Sequence, residues 1–166
     1  LVSLILLLSP GCKKKHHDRY YNEEKGFSIK LPSTWEKKKN HMGTVIIAIS
    51  YPETQLDPFR ENISVVVEDI PEDTGVDTYF KNYVFDGFKK VAKEVTHHKK
   101  GVQTIDGRDA RWDIVSHKFG PIRIKLLQYS LVNDGKGYLI TFASEDKKMK
   151  LYKGIFDEIA QSFNFE

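Results

Sequence analysis

Cysteine is almost absent. Cys12 is the single one in 166 residues, so no internal disulfide is possible and stability must come from burial. A long apolar run is missing too. Leu1–Leu8 falls short of the ~20 residues that span a bilayer as a helix. Charge of one sign is lacking: 26 basic residues face 23 acidic ones, for a net charge of +3. A balance that close leaves no nucleic-acid footprint, and no nucleic-acid partner is expected. Outside Lys13–Lys15, Lys37–Lys39 and Lys147-Lys148, the basic residues are scattered. Gly-x-Ser-x-Gly, a phosphate-binding glycine loop and His-Glu-x-x-His are all missing. The expectation is therefore a protein that is not an enzyme, with no catalytic, cofactor-binding or metal-ligating residue to name.

What is present begins with that apolar run, which has the length of a signal-peptide core. The chain starts at leucine rather than methionine, so an upstream piece is expected. After Leu8 come Ser9, Pro10, Gly11 and Cys12. A small residue directly before cysteine, at the end of an apolar run, resembles a bacterial lipobox. Gly11 and Cys12 match that pattern, while Ser9 and Pro10 depart from it, with leucine one place early at Leu8. The resemblance implies that residues 1–12 are a truncated lipoprotein signal peptide and that Cys12 carries the lipid. The residue class is a membrane anchor, in which each buried methylene contributes about 0.8 kcal/mol. Residues 13–25, polar and lysine-rich, read as a tether, and 26–166 as one domain.

The domain is organised around Gln103–Ser144, read as three strands folded back on one another. Asp106-Gly107 is a strong hairpin signal, because both positions of such a turn need positive φ. Over Arg108–His117, Ala110, Trp112 and Ile114 alternate with Arg111, Asp113 and Val115. Gly120-Pro121 breaks the pattern, and Ile122–Val132 reads as a long strand. Its apolar parity switches midway, from Ile122, Ile124 and Leu126 to Leu127, Tyr129 and Leu131. Such a switch means a bulge or a cover on both faces. A second turn with two glycines, Asn133–Gly137, leads to the strand Tyr138–Ser144. Short connections require antiparallel pairing.

Upstream, Gly26–Pro32, Thr44–Tyr51 and Asn62–Ile70 read as strands, with Trp35 packed under the sheet. Val76, Phe80, Tyr83, Val84, Phe88 and Val91 then recur at helical spacing, with Asp73 or Thr74 as a cap. Glu94–Val102 returns to strand. After the meander, Ser144 is a candidate N-cap for a last helix striped by Met149, Tyr152, Phe156, Ile159 and Phe163. Of the histidines, His97 and His98 would point to opposite faces of a strand and cannot share one metal. Asp106, Asp109 and Asp113 are read as turn or solvated carboxylates.

The order of elements resembles the PsbP-like superfamily. The residues that carry the likeness are Phe27, Ile29, Pro32 and Trp35, then Gly107 and Ala110, then Tyr138, Ile140, Phe156, Ile159, Ser162 and Phe163. That superfamily includes a photosystem II subunit, a Ran-binding nuclear import factor and DcrB-like bacterial lipoproteins. The resemblance implies an α+β fold, an α/β/α sandwich around a central antiparallel β-sheet. It also implies a largely non-enzymatic domain. The resulting expectation is a cell-envelope lipoprotein held at the membrane through Cys12, its domain outside the cytoplasm, bound to an unknown protein partner. The alternative is a small-ligand or metal-ion binding domain with a cleft between sheet and helix. A hydrolase built from scattered residues is the third reading.

Overall fold

The computed structural model describes residues 17–166. Cys12 and the lipobox-like end lie outside the described residues. The chain runs β1 (His17–Asn22), β2 (Phe27–Pro32), β3 (Glu36–His41), β4 (Thr44–Ile49) and β5 (Asn62–Asp69). A helical segment follows: α1 (Val76–Tyr79), a π-helical stretch (Phe80–Phe85) and α2 (Asp86–Val91). Then come β6 (Lys93–Ile105), β7 (Arg108–Phe119), β8 (Ile122–Asn133), β9 (Lys136–Glu145), a 3-10 turn (Asp146–Lys148), α3 (Met149–Gln161) and β10 (Asn164–Phe165).

Seven strands form one antiparallel sheet in the order β3-β4-β5-β9-β8-β7-β6. Its centre is the expected meander. The β6–β7 turn holds Asp106 at φ 47° and Gly107 at φ 71°, and the β8–β9 turn holds Asp134 at 47° and Gly135 at 67°. Both pairs sit in the left-handed region that two-residue hairpins favour. The parity switch in β8 is not a bulge. Its register runs unbroken from Ile122 opposite Phe119 to Asn133 opposite Lys136.

Both faces of the sheet are covered instead. On one, Leu127, Tyr129, Leu131, Ile140 and Phe142 pack with Phe156 and Ile159 of α3 and with Phe163 just beyond it. The small sheet β1-β2-β10 shares this face through Phe27, Ile29 and Leu31. The rings of Phe27 and Phe163 stack with centroids 5.4 Å apart. On the other face the helical segment covers two smaller apolar groups. Val115, Ile124, Leu126 and Ala143 meet Phe88, while Ile70, Val132 and Leu139 meet Tyr79 and Val84. The fold is thus α+β, helices on either side of an antiparallel sheet.

Gly137 fixes how closely the helical segment approaches. A Cβ there would sit 2.2 Å from the Tyr79 ring, which is wholly buried. Gly137→Ala is expected to destabilise the fold by about 3 kcal/mol, because a buried ring on a packed helix has nowhere to move. Urea unfolding checks this; an unchanged midpoint would contradict it.

The structure corrects several sequence expectations. Residues 13–25 are not all tether: His17–Asn22 pair with β2 along their whole length. The strands β1, β3 and β10 have no counterpart among the expected ones. Asp73 and Thr74 do not cap the first helix. The Thr74 amide closes a turn on the Pro71 carbonyl, so the helix begins one residue later with Gly75 as its uncapped N-cap. Ser144 is no cap either. It is buried in β9, and the turn Asp146–Lys148 separates it from α3.

Candidate functional site

The helical face of the sheet carries a row of polar side chains. Registers place Ser64 opposite Thr141, Thr141 opposite Gln128, Gln128 opposite Asp113, and Asp113 opposite Lys100. Directly opposed residues share a face. One polar lane therefore crosses five strands, from β5 to the free edge at β6. Gln128 is buried and its amide donates to Thr141 Oγ1 at 3.4 Å. Next to the lane, Arg111 of β7 bonds Asp77 of α1 through Nε and Nη2, while its Nη1 is buried without a partner.

Asp113 is the anomaly. Only 2% of it is exposed, and its Oδ1 has no hydrogen-bond partner. The other oxygen lies 3.8 Å from His97 Nδ1. Burial pushes the Asp113 carboxyl up to about 7, opposed only by the positive charge of Lys100. Burial, then Lys89, Lys100 and His98, push the His97 imidazole the other way, below its usual range. Both partners thus favour their neutral forms, and the contact is not a strong ion pair at neutral pH. His97 also packs on Phe85, ring centroids 4.1 Å apart, and Lys89 Nζ lies over Phe85 at 3.9 Å. Phe85 ends the π-helical stretch, a backbone form that recurs at functional sites.

Phe85, His97, His98, Lys99, Lys100 and Asp113 line a hollow of about 260 Å³ at the β6 end of the lane. A hollow of about 350 Å³ lies elsewhere, among Tyr20–Lys25, Lys39, Asn40 and Val45, but it holds no buried ionisable group. The Asp113 hollow is therefore the better candidate despite its smaller volume.

His98 points away from this face, as the strand alternation required. Its Nε2 lies 2.9 Å from Ser116 Oγ. That spacing suits a nucleophile and its base, yet the Ser116 oxygen is buried and also accepts from Arg123 Nη2 at 3.2 Å. Among the described residues no carboxylate pairs with His98. The dyad lacks the third group that orients a catalytic base. Among the described residues, no three His, Cys, Asp or Glu side chains are grouped to hold a metal ion.

A second charged cluster fastens the fold. Lys148, beside α3, faces four carboxylates: Glu53 at 3.1 Å, Glu61 and Glu145 at 3.7 Å, and Asp57 at 3.8 Å. Glu61 is wholly buried, and desolvation raises its proton affinity. The acids hold Lys148 protonated well above the lysine norm, even though burial opposes them. The cluster ties the loop between β4 and β5 to the last helix.

Asp113 is not the turn or solvated carboxylate that its sequence context suggests. It is instead mid-strand and roofed by the helical segment. The one signal available was an acid sharing parity with Val115, which now proves a buried position. Among the aromatics, Tyr79 and Tyr129 belong to the core and Phe85 lines the hollow.

No family model and no curated protein matches the chain. Solved structures do. Cyanobacterial PsbP (CyanoP) from Synechocystis aligns with a TM-score of 0.69 at 17% identity, covering 97% of this chain and 99% of that one. LpqN, a Mycobacterium tuberculosis protein involved in cell envelope biogenesis, aligns at 0.65 and 10% identity, covering 90% of each chain. A Pseudomonas aeruginosa protein of unknown function aligns at 0.60 and 13%, covering 89% of this chain. At such identities the likeness concerns the fold.

Proposed function

From a PsbP-like fold, we propose a non-enzymatic binding domain of the bacterial cell envelope, a lipoprotein anchored through Cys12 whose partner is a protein. One observation carries the choice of a protein partner. The hollow at Asp113 is about 260 Å³ and opens at the free edge of the sheet, flanked by β6. Sites for whole metabolites are usually larger and enclose most of the ligand. An edge hollow of this size suits one side chain of a docking segment. The envelope address is supported by LpqN, whose own role lies in envelope biogenesis, and by the lipobox-like Gly11-Cys12. Among the described residues no helix is long and apolar enough to cross a membrane.

The address is tested by acyl labelling in cells. The parent protein is expected to take up a palmitate analogue and to sediment with membranes. Cys12→Ala is expected to lose the label and to remain unprocessed. A variant processed and sedimented like its parent would defeat the lipoprotein reading.

The free oxygen of Asp113 favours a second reading, a small ligand or ion bound in the hollow. Thermal shift against divalent metals and a metabolite panel separates the two. A shift that Asp113→Asn abolishes supports the ligand, and no shift with any member supports the protein partner.

A further inference from the structure

β6 ends the seven-stranded sheet, and among the described residues it pairs only with β7. Its first half is broken by register shifts between Lys93 and Thr96 and between His97 and Lys99. From Lys99 to Ile105 the pairing is regular. The tight turn at Asp106-Gly107 makes Ile105 and Arg108 a bonded pair, so Ile105, Gln103 and Gly101 bond to β7. Thr104, Val102 and Lys100 therefore direct their amides and carbonyls outward. Gln161 of α3 confirms the phase, because its amide donates to the Thr104 carbonyl. Among the described residues no strand lies beside the outward groups of Lys100 and Val102, and Val102 is 63% exposed.

Lysines at sheet edges commonly oppose self-pairing. The two edges of this sheet differ in how their lysines are used. In β3, Lys37 pairs with Asp18, Lys38 pairs with Glu36, and Lys39 lies over the Tyr20 ring. In β6, Lys93, Lys99 and Lys100 form no ion pair within the described chain. A second copy of β6 would set lysine against lysine, which is unfavourable, whereas an acidic strand would meet lysines without acids of their own, Lys100 on the face of Asp113 and Lys99 on the other.

We propose that β6 accepts an extended acidic segment of a partner protein as an eighth strand, with one of its side chains entering the Asp113 hollow. This rests on the reading of the domain as a protein-binding module. Main-chain bonds to Lys100 and Val102 supply affinity, the lysines supply charge selection, and the hollow on the same face supplies side-chain selection.

The test uses the purified chain and a fluorescent peptide alternating glutamate and valine. A lysine–valine peptide and a proline-interrupted glutamate–valine peptide serve as controls. Only the first is expected to bind, more weakly as salt rises. Amide exchange at Lys100 and Val102 is expected to slow when it binds. Val102→Pro removes an outward amide without touching the β6–β7 ladder and is expected to weaken binding about tenfold or more. The double variant Lys99→Glu, Lys100→Glu is expected to switch preference to the lysine peptide, and it keeps the test decisive if the proline variant misfolds. No binding, binding indifferent to both changes, or slowed exchange on β3 instead would overturn the proposal. None of these readouts involves Cys12, so the envelope address stands or falls separately.

Discussion

Replacing Lys148 by methionine is expected to destabilise the protein by about 3–5 kcal/mol at pH 7, the usual result of stripping a buried charge cluster of its counter-ion. For a domain of this size that corresponds to roughly 10 °C or more in melting temperature. The cause is local. Four carboxylates converge on one ammonium group, and three of them are nearly or wholly buried. Without Lys148 they repel one another in a medium that screens poorly. The pH dependence gives the sign. Burial already raises the proton affinity of Glu61, so mild acid neutralises it first. Asp57 stays charged longer, because the backbone amide of Glu53 holds its carboxyl below the usual range. The deficit of the variant should therefore shrink between pH 7 and pH 5 without vanishing. Urea titrations of both proteins at the two pH values decide it. A loss below 1 kcal/mol at pH 7, or one that grows on acidification, would refute the account.

The second large effect has the opposite sign. Asp113→Asn is expected to stabilise the protein at pH 8 by about 2–4 kcal/mol and to change little near pH 4. The folded state holds the Asp113 proton up to about pH 7, whereas an exposed aspartate loses it near 4. A raised carboxyl affinity means that folding stability falls as pH climbs between those two values and stays low above them. Asparagine keeps the shape and never bears the charge. His97, pushed below its ordinary range, makes its own contribution on the acid side, so the comparison must be parent minus variant at each pH. Coincident unfolding curves at pH 8 would rule the effect out. That gain would fit the proposal that Asp113 serves binding, since a carboxylate costs stability where an amide would not.

How far was this visible in the chain alone? The meander was, because Asp106-Gly107 and Asp134-Gly135 state their backbone conformation in residue type. The two-faced cover was legible in the parity switch of β8. The edges were not. β3 reads Glu-Lys-Lys-Lys-Asn-His, and only its register with β4 makes it a strand. β1 is similarly polar, and β10 is two residues long. Edge strands carry the side chains that the rim tolerates, so composition hides them. The candidate site was hidden for another reason. Ser64, Thr141, Gln128, Asp113 and Lys100 are far apart in sequence, and nothing local reveals that four registers bring them into one row.

The hairpin β1–β2 has a mechanical consequence. His17 opposes Pro32 at its open end, and the turn closes it at Asn22 and Phe27. Tension arriving from the residues before His17 would load the outermost rung first and separate the two strands rung by rung, like a zip, instead of shearing all the rungs together. The first firm obstacle is Arg19, whose guanidinium grips Ser28 and the carbonyl of Ser162. Beyond it the pull would bear on the last turn of α3 and so on the interior. A domain moored by its leading end would thus yield a short length of slack before its core felt any strain.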